Sequence, residues 1–313
     1  MNTSSTLREA AVTAAMNTNR SLRFVAASSF IAIAPLIFAV ACGSSATPNA
    51  GPSTATQDNK ALVTRAVDEL FGQKDLSAVD RYWAEPYLQH DPSLASGVEP
   101  FREFVRQVVP TPGFKFDRTR VLGDGDLVAV HSRYTGVGPG PMVVFDIFRV
   151  QNGKLVEHWD GKQSEANPSP SGHTMLEGPT EIHDEDRTEA NRQVVIDFLN
   201  AGPVRGETVE IDTLAKFFDG DAYIQHNPRI ADGLSGLGAF ISGLLAQGVS
   251  FKYTQVHRVL AEGNFVLAQS EGQIAGTTNA FYDLFRVQNG KLAEHWDTIE
   301  EVPATTKSGL PVF

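Results

Sequence analysis

The sequence holds one cysteine, Cys42, so no disulfide within the chain can staple it. It also has no run of Lys and Arg. With a formal net charge of −11, it lacks the basic face by which a protein displaces counterions from nucleic acid, and a nucleic-acid partner is excluded. No G-x-S-x-G elbow is present, and no cysteine sits in a catalytic context. GDGD at 123–126 and GPGP at 138–141 are turn sequences, not loops that open helices, so no phosphate cradle is visible. What remains is ordinary for globular protein: 42% hydrophobic and 20% charged residues over 313 positions, room for about two domains.

Only one long apolar run occurs, FVAASSFIAIAPLIFAVA, preceded by Arg20 and Arg23 and ending at CGSS. A positive start, an apolar core and small residues at the end spell a secretory signal. AVAC resembles a bacterial lipobox, with Ala39 where Leu is usual, and Cys42 is the expected lipidation site. Glu9 is out of place in such a signal, so Met16 is read as the true start. The alternative is an uncleaved apolar helix, just long enough to span a bilayer. On the first reading residues 1–42 are the signal, and the protein is an extracytoplasmic, membrane-anchored bacterial lipoprotein. Residues 43–57, rich in Ser, Thr, Pro, Gly and Ala, form a flexible tether.

The rest of the chain repeats itself. RVQNGKLVEHWD at 149–160 returns as RVQNGKLAEHWD at 286–297. YLQHDP at 87–92 answers YIQHNP at 223–228, and VLGDGDLVAVHS at 121–132 answers VLAEGNFVLAQS at 259–270. Nearly constant offsets mean a tandem duplication, with copies at 58–164 and 185–302, a linker at 165–184 and a tail at 303–313. Two long copies are not a solenoid.

In each copy helical periodicity comes first. Leu62, Val63, Ala66, Val67 and Leu70 fall on one helical face, a second helical segment covers DLSAVDRYWA, and a third covers VEPFREFVRQV. The period then changes to two, giving strands FKFDRTRVL, DLVAVHSRYTG, MVVFDIFRV and KLVEHWDGKQ between turn signals. Helices followed by an antiparallel meander predict an α+β fold: two tandem cone-shaped domains, each of three helices on a curved sheet. With the motifs YxQHxP, VHS, DxFR and EHWD, each copy resembles the SnoaL-like polyketide cyclases of the nuclear transport factor 2-like superfamily. That resemblance implies helices and a bent sheet closing over an apolar pocket. It does not fix the reaction, because one fold hosts many chemistries.

Asp146 and Asp283 lie in strongly apolar strands, where an unpaired carboxylate is costly. Each is expected either to face the pocket or to pair with an Arg such as Arg149 or Arg133. The resemblance places its catalytic acid/base at the Asp146 position. A three-residue loop, Gln151–Asn152–Gly153, would set Asp146 directly opposite His158, with Val144, Phe148 and Val156 on the same face and Trp159, Arg149 and Glu157 behind. The second copy then pairs Asp283 with His295. His90, before Asp-Pro at the end of a helical region, and His131, among apolar neighbours in VAVHS, are the candidate oxyanion donors. Their counterparts are His226 and Gln269, and Gln cannot exchange a proton near neutral pH. A metal on His90, His131, His158 and Asp146 lacks short ligand spacing and would lose a ligand at Gln269, so neither metal nor cofactor is expected. A purely structural reading, with the Asn-Gly hairpin as a folding unit and Trp159 and Trp296 as core, stands beside the catalytic one.

The expectation is a binder of a small apolar ligand, with Asp146–His158 moving a proton on a carbonyl compound as an isomerase, cyclase or dehydratase would. The alternative is a non-catalytic extracytoplasmic binding or assembly module. The two copies are expected either to pack on each other or to mediate dimerisation.

Overall fold

Residues 51–166, 169–202 and 211–313 are described by the computed structural model. The apolar run, Met16 and Cys42 lie outside them. No helix among the described residues is long and apolar enough to cross a membrane.

Helix α1 (Thr54–Val67) starts where the Ser53 hydroxyl accepts the Thr56 amide at 3.2 Å, and it buries Val63, Ala66 and Val67 as their spacing predicts. Its end runs on into one wider turn, Asp68–Gly72. Helix α2 (Ala78–Tyr82) is followed at once by strand β1 (Trp83–Gln89) and then by α3 (Val98–Val108). The meander comprises β2 (Lys115–Asp124), β3 (Leu127–Thr135), β4 (Met142–Gln151) and β5 (Lys154–Ser164). The second copy repeats the plan with α4 (Thr188–Ala201), α5 (Ile211–Leu214), β6 (Ile224–Gln225), α6 (Gly233–Ala246) and β7 to β10 (Phe251–Glu262, Phe265–Ile274, Thr277–Gln288, Lys291–Glu301).

Sheet orders are β1-β5-β4-β3-β2 and β6-β10-β9-β8-β7, so the α+β duplication holds. One feature differs from expectation. YLQ and YIQ are not helix ends but short strands, β1 and β6, that pair in parallel with β5 and β10 at the sheet edge. Pro86 and a run of only a few residues conceal the strand signal.

The hairpin register also differs. Asn152 and Gly153 both take left-handed φ (52° and 70°), so the turn has two residues, with Gln151 opposite Lys154. Val156 is then extra, and the register shift sets Arg149 against Glu157, Phe148 against His158 and Asp146 against Asp160. A two-residue turn plus one bulged residue has the parity of the expected three-residue loop. The faces are therefore as expected, while the direct partner moves by two positions. The second copy does the same around Asn289–Gly290 and Ala293, placing Asp283 opposite Asp297.

Each sheet is covered on both sides. Val128, Val130, Val144 and Phe148 face the first helices, and Val266, Ala268, Phe285 and Val287 face the second. The opposite faces pack on one another through Leu122, Ala129, Phe145, Ile147 and Trp159 from one sheet and Leu260, Leu267, Tyr282, Leu284 and Trp296 from the other. The contact is reciprocal. Trp159 lies between the His90 ring (4.7 Å) and the Arg258 guanidinium (3.8 Å), and Trp296 lies between His226 (4.7 Å) and Arg120 (4.1 Å). Both indoles are fully buried, and truncating either removes about 3–5 kcal/mol of packing.

The segments after each last strand are repeated too. Ser169 Oγ donates to the His173 carbonyl, and Thr306 Oγ1 donates to the Leu310 carbonyl at the matching place. The first strap offers the Thr174 carbonyl to His226 Nδ1 of the second copy. The second offers the Pro311 carbonyl to His90 Nδ1 of the first, so each copy's strap caps the other.

Candidate functional site

On the concave face of the first sheet, His158 Nε2 lies 3.0 Å from Asp146 Oδ1, and its Nδ1 lies 2.9 Å from Gln89 Oε1. That Gln89 oxygen also accepts the Asp91 amide, so it is an acceptor toward the ring, and Nδ1 carries a proton. A further proton is then shared between Nε2 and Asp146, because two lone pairs would repel. The second copy is built identically: His295 Nε2 to Asp283 Oδ1 at 3.1 Å, Nδ1 to Gln225 Oε1 at 2.9 Å, and Gln225 accepting the Asn227 amide. Burial lowers the affinity of His158 and His295 for a proton, but the aspartate hydrogen bond and the neighbouring carboxylate charges outweigh it, and both pKa values rise.

The expected pairs are therefore brought together, diagonally across the strands rather than directly opposite. The four candidate donors are not brought to them. His90 and His226 point to the layer between the sheets, bonding Glu157 (3.0 Å) and Glu294 (2.9 Å) and stacking on the tryptophans. His131 stacks on Phe145 at 4.1 Å, and its Nδ1 accepts from Arg120 at 3.2 Å. Burial first, and then the Arg120 charge, hold its pKa well below the ordinary value, so it is a neutral structural ring. Gln269 likewise serves Arg258 and the Tyr282 hydroxyl in this layer. The difference between His131 and Gln269 therefore does not separate the two concave sites.

Sequence reasoning passed over several members of each site. Gln89 and Gln225 orient the imidazoles. A tyrosine hydroxyl donates to each key aspartate, Tyr134 to Asp146 (3.3 Å) and Tyr253 to Asp283 (3.1 and 3.0 Å). These tyrosines come from adjacent strands: the cross-strand pair Phe116–Tyr134 of the first copy is Tyr253–Gly272 in the second. The last member is the aspartate of EHWD, Asp160 or Asp297, two residues beyond the histidine and hence on its face.

The two copies part company here. In the first, Tyr134 is packed by Phe71 (5.5 Å), Phe116 (5.0 Å) and Phe114 (6.3 Å), and α3 drives Phe101 and Val105 into the core. In the second, Gly272 removes a tyrosine ring, although Phe281 in place of Val144 restores some bulk beside Tyr253. Helix α6, GLSGLGAFISGLLA, carries no charge and buries only Gly233. Beneath it lies a cavity of about 840 Å³, walled by Phe198, Leu237, Phe240, Phe251 and Phe285 and floored by Asp283, His295 and Asp297.

The floor differs in charge placement as well. In the first copy Lys162 Nζ bonds Asp91 (3.0 Å) and Asp160 (3.2 Å). The second has Asn227 and Ile299 at these positions; Asn227 Nδ2 donates to Asp297 Oδ2 at 2.6 Å, and Asp297 Oδ1 has no partner among the described residues. Burial raises the Asp297 pKa to about 6, and that of Asp160 to about 7 despite Lys162. One ligand-capable atom from each of Asp283, His295 and Asp297 lies within 4.8 Å of the other two.

Fold and site together define a class: tandem α+β domains, each with helices over a five-stranded sheet and an acid–imidazole pair on the helix-covered face. The sequence model of the SnoaL-like domain matches residues 63–158 and again 196–295, and the chain belongs to that family. It is similar to a solved NTF2-like protein of unknown function from Mesorhizobium loti (19% identity, 36% of this chain and 97% of that one, TM-score 0.33). It is also similar to a protein described as a SnoaL-like polyketide cyclase from Jannaschia sp. CCS1 (19%, 36% and 90%, TM-score 0.32). An LEH-like epoxide hydrolase from M. tuberculosis is a further likeness (19%, 34% and 84%, TM-score 0.31). No curated protein matches the chain.

Proposed function

We propose that the second copy is the working half, a cofactor-free site that admits a mostly apolar small molecule and moves a proton on it. The observation that carries this reading is the 840 Å³ cavity with Asp283, His295 and Asp297 on its floor. Such a volume, apolar with a few convergent polar groups, suits a small organic ligand. Asp283–His295 already shares a proton, and Tyr253 donates beside it, so a carbonyl compound held there has a base, an acid and a hydroxyl donor within one cluster. Isomerisation, aldol-type cyclisation and dehydration need no more. The first copy, its cone filled by aromatic rings, serves as scaffold.

The test is native mass spectrometry of the purified protein for a co-purifying molecule, followed by solvent deuterium exchange into that molecule. Asp283→Asn should keep binding and lose exchange by about 100-fold or more, the usual worth of a positioned acid/base. Binding without exchange in the unaltered protein would favour the second reading, a pure binding module. That reading is supported by the way every polar atom of the Asp283–His295 pair already has a protein partner.

We also propose that lipid on Cys42 anchors the protein outside the cytoplasm. Cys42→Ser should release it from membranes and abolish the lipid mass increment on the N-terminal peptide.

A further inference from the structure

We propose that the Tyr223 hydroxyl is the group in the second copy's cavity that donates to a ligand's carbonyl oxygen. This rests on the cavity being the ligand site, and it names the contact that holds the ligand's polar end.

The neighbouring donors on the floor are engaged. Tyr253 donates to Asp283, Asn227 Nδ2 donates to Asp297, and the two ring nitrogens of His295 meet Gln225 and Asp283. Tyr223 lines the same cavity, and its hydroxyl has no acceptor among the described residues. Comparison with the first copy shows why this hydroxyl is available. Its twin, Tyr87, also lacks a partner, but that oxygen is sealed, without accessible surface. The Tyr223 oxygen is not sealed, although the residue is only 3% exposed, and it opens on the hollow. The backbone is the same in both copies: the Gly97 amide donates to the Tyr87 carbonyl and the Gly233 amide to the Tyr223 carbonyl, each at 2.7 Å. Four residues beyond the glycine, α3 presses Phe101 on Tyr87 with ring centroids 5.5 Å apart, whereas α6 has Leu237, which lines the cavity.

The phenol is held in place. It lies near-parallel to His295 at 6.5 Å and edge-on to Phe218 at 4.8 Å. Burial first, and then the Asp283 and Asp297 charges, hold its pKa well above the ordinary value, so the hydroxyl keeps its proton and donates. The Gln225 amide, its oxygen fixed by His295 and the Asn227 amide, turns its NH2 toward the phenol oxygen and leaves the hydroxyl hydrogen for a ligand. A neutral donor beside an acid–imidazole pair suits a ketone, aldehyde or ester. When Asp283–His295 takes a proton from the carbon next to the carbonyl, the C–H electron pair passes to the oxygen, where Tyr223 meets the charge.

Equilibrium dialysis at pH 7.5 with one skeleton, 4-phenylcyclohexanone and phenylcyclohexane, tests this. Tyr223→Phe should lower the ratio of ketone to hydrocarbon affinity by about 3- to 10-fold, the worth of one neutral hydrogen bond, while hydrocarbon binding, which also reports an intact cavity, persists. With carbon-13 at the carbonyl, the infrared stretch of the bound ketone should lie lower in the unaltered protein than in Tyr223→Phe, a signature that a merely structural tyrosine would not produce. Tyr87→Phe should change neither reading. A ratio and a stretch unmoved by Tyr223→Phe, or moved equally by Tyr87→Phe, overturn the inference and leave the cavity reading standing. If neither compound binds the unaltered protein, both fall.

Discussion

Replacing Asp297 by Asn should stabilise the protein. Its carboxyl is buried and its pKa rises from 3.8 to about 6, so the folded state holds the proton more tightly than the unfolded chain does. Below pH 4 both states are protonated and the group costs nothing. Between about 4 and 6 the unfolded chain has released its proton while the native state still holds it, so stability falls as pH rises. Above 6 the full penalty is present: a shift of about two units at about 1.4 kcal/mol each, or about 3 kcal/mol. Asparagine keeps an oxygen for Asn227 and removes the charge. Urea melts of both proteins at pH 4.0, 5.0, 6.0 and 7.5 measure the difference. Asp297→Asn should match the unaltered protein at pH 4.0 and exceed it by about 2–3 kcal/mol at pH 7.5. A pH-independent difference, or a destabilised variant at pH 7.5, would refute the claim that this residue is held at the expense of the fold. Such a cost is what a functional group in a cavity carries.

In the first copy, Lys162→Met strips the ammonium from Asp91 and Asp160, which should cost about 3–5 kcal/mol at pH 7.5 and recover toward pH 4 as the carboxyls protonate, read by the same melts. Arg120→Ala leaves the carbonyls of Leu176 and Pro179 without their Arg120 donor, takes one of two donors from the Glu177 carbonyl and uncovers the Trp296 ring, so a loss of about 3 kcal/mol and a red-shifted tryptophan emission are expected. Ending the chain after Lys307 removes the carbonyl that His90 uses and the buried Val312. It should lower the melting temperature by several degrees while leaving far-UV circular dichroism unchanged.

Much of this was legible from residues alone, for identifiable reasons. The duplication is written in the spacing of its motifs, and the face shared by Asp146 and His158 follows from strand parity, which the extra Val156 preserves. What parity cannot tell is which buried side is the hollow one. Ala129 and His131 alternate with Val128 and Val130, and both sets are buried, one between the sheets and one under the helices. Alternation alone therefore does not place His131 between the sheets, where it stacks on Phe145. Gln89 and Gln225 were hidden because β1 and β6 are short edge strands without an alternating pattern. The openness of the second cone did leave a trace, the uncharged, glycine-rich α6 against the charged and amphipathic α3. Its meaning emerges only once the helix is seen to lie over the cavity.

The exchanged straps and the reciprocal Arg–Trp contacts are those of a two-fold dimer, yet both partners lie on one polypeptide. In a homodimer any substitution strikes both sites at once, and dilution separates the halves. Covalent tethering ends both constraints: the partner is always present at high effective concentration, and each half can mutate alone. The two halves have diverged accordingly, with aromatic rings packed around Tyr134 in one and a cavity beneath α6 in the other.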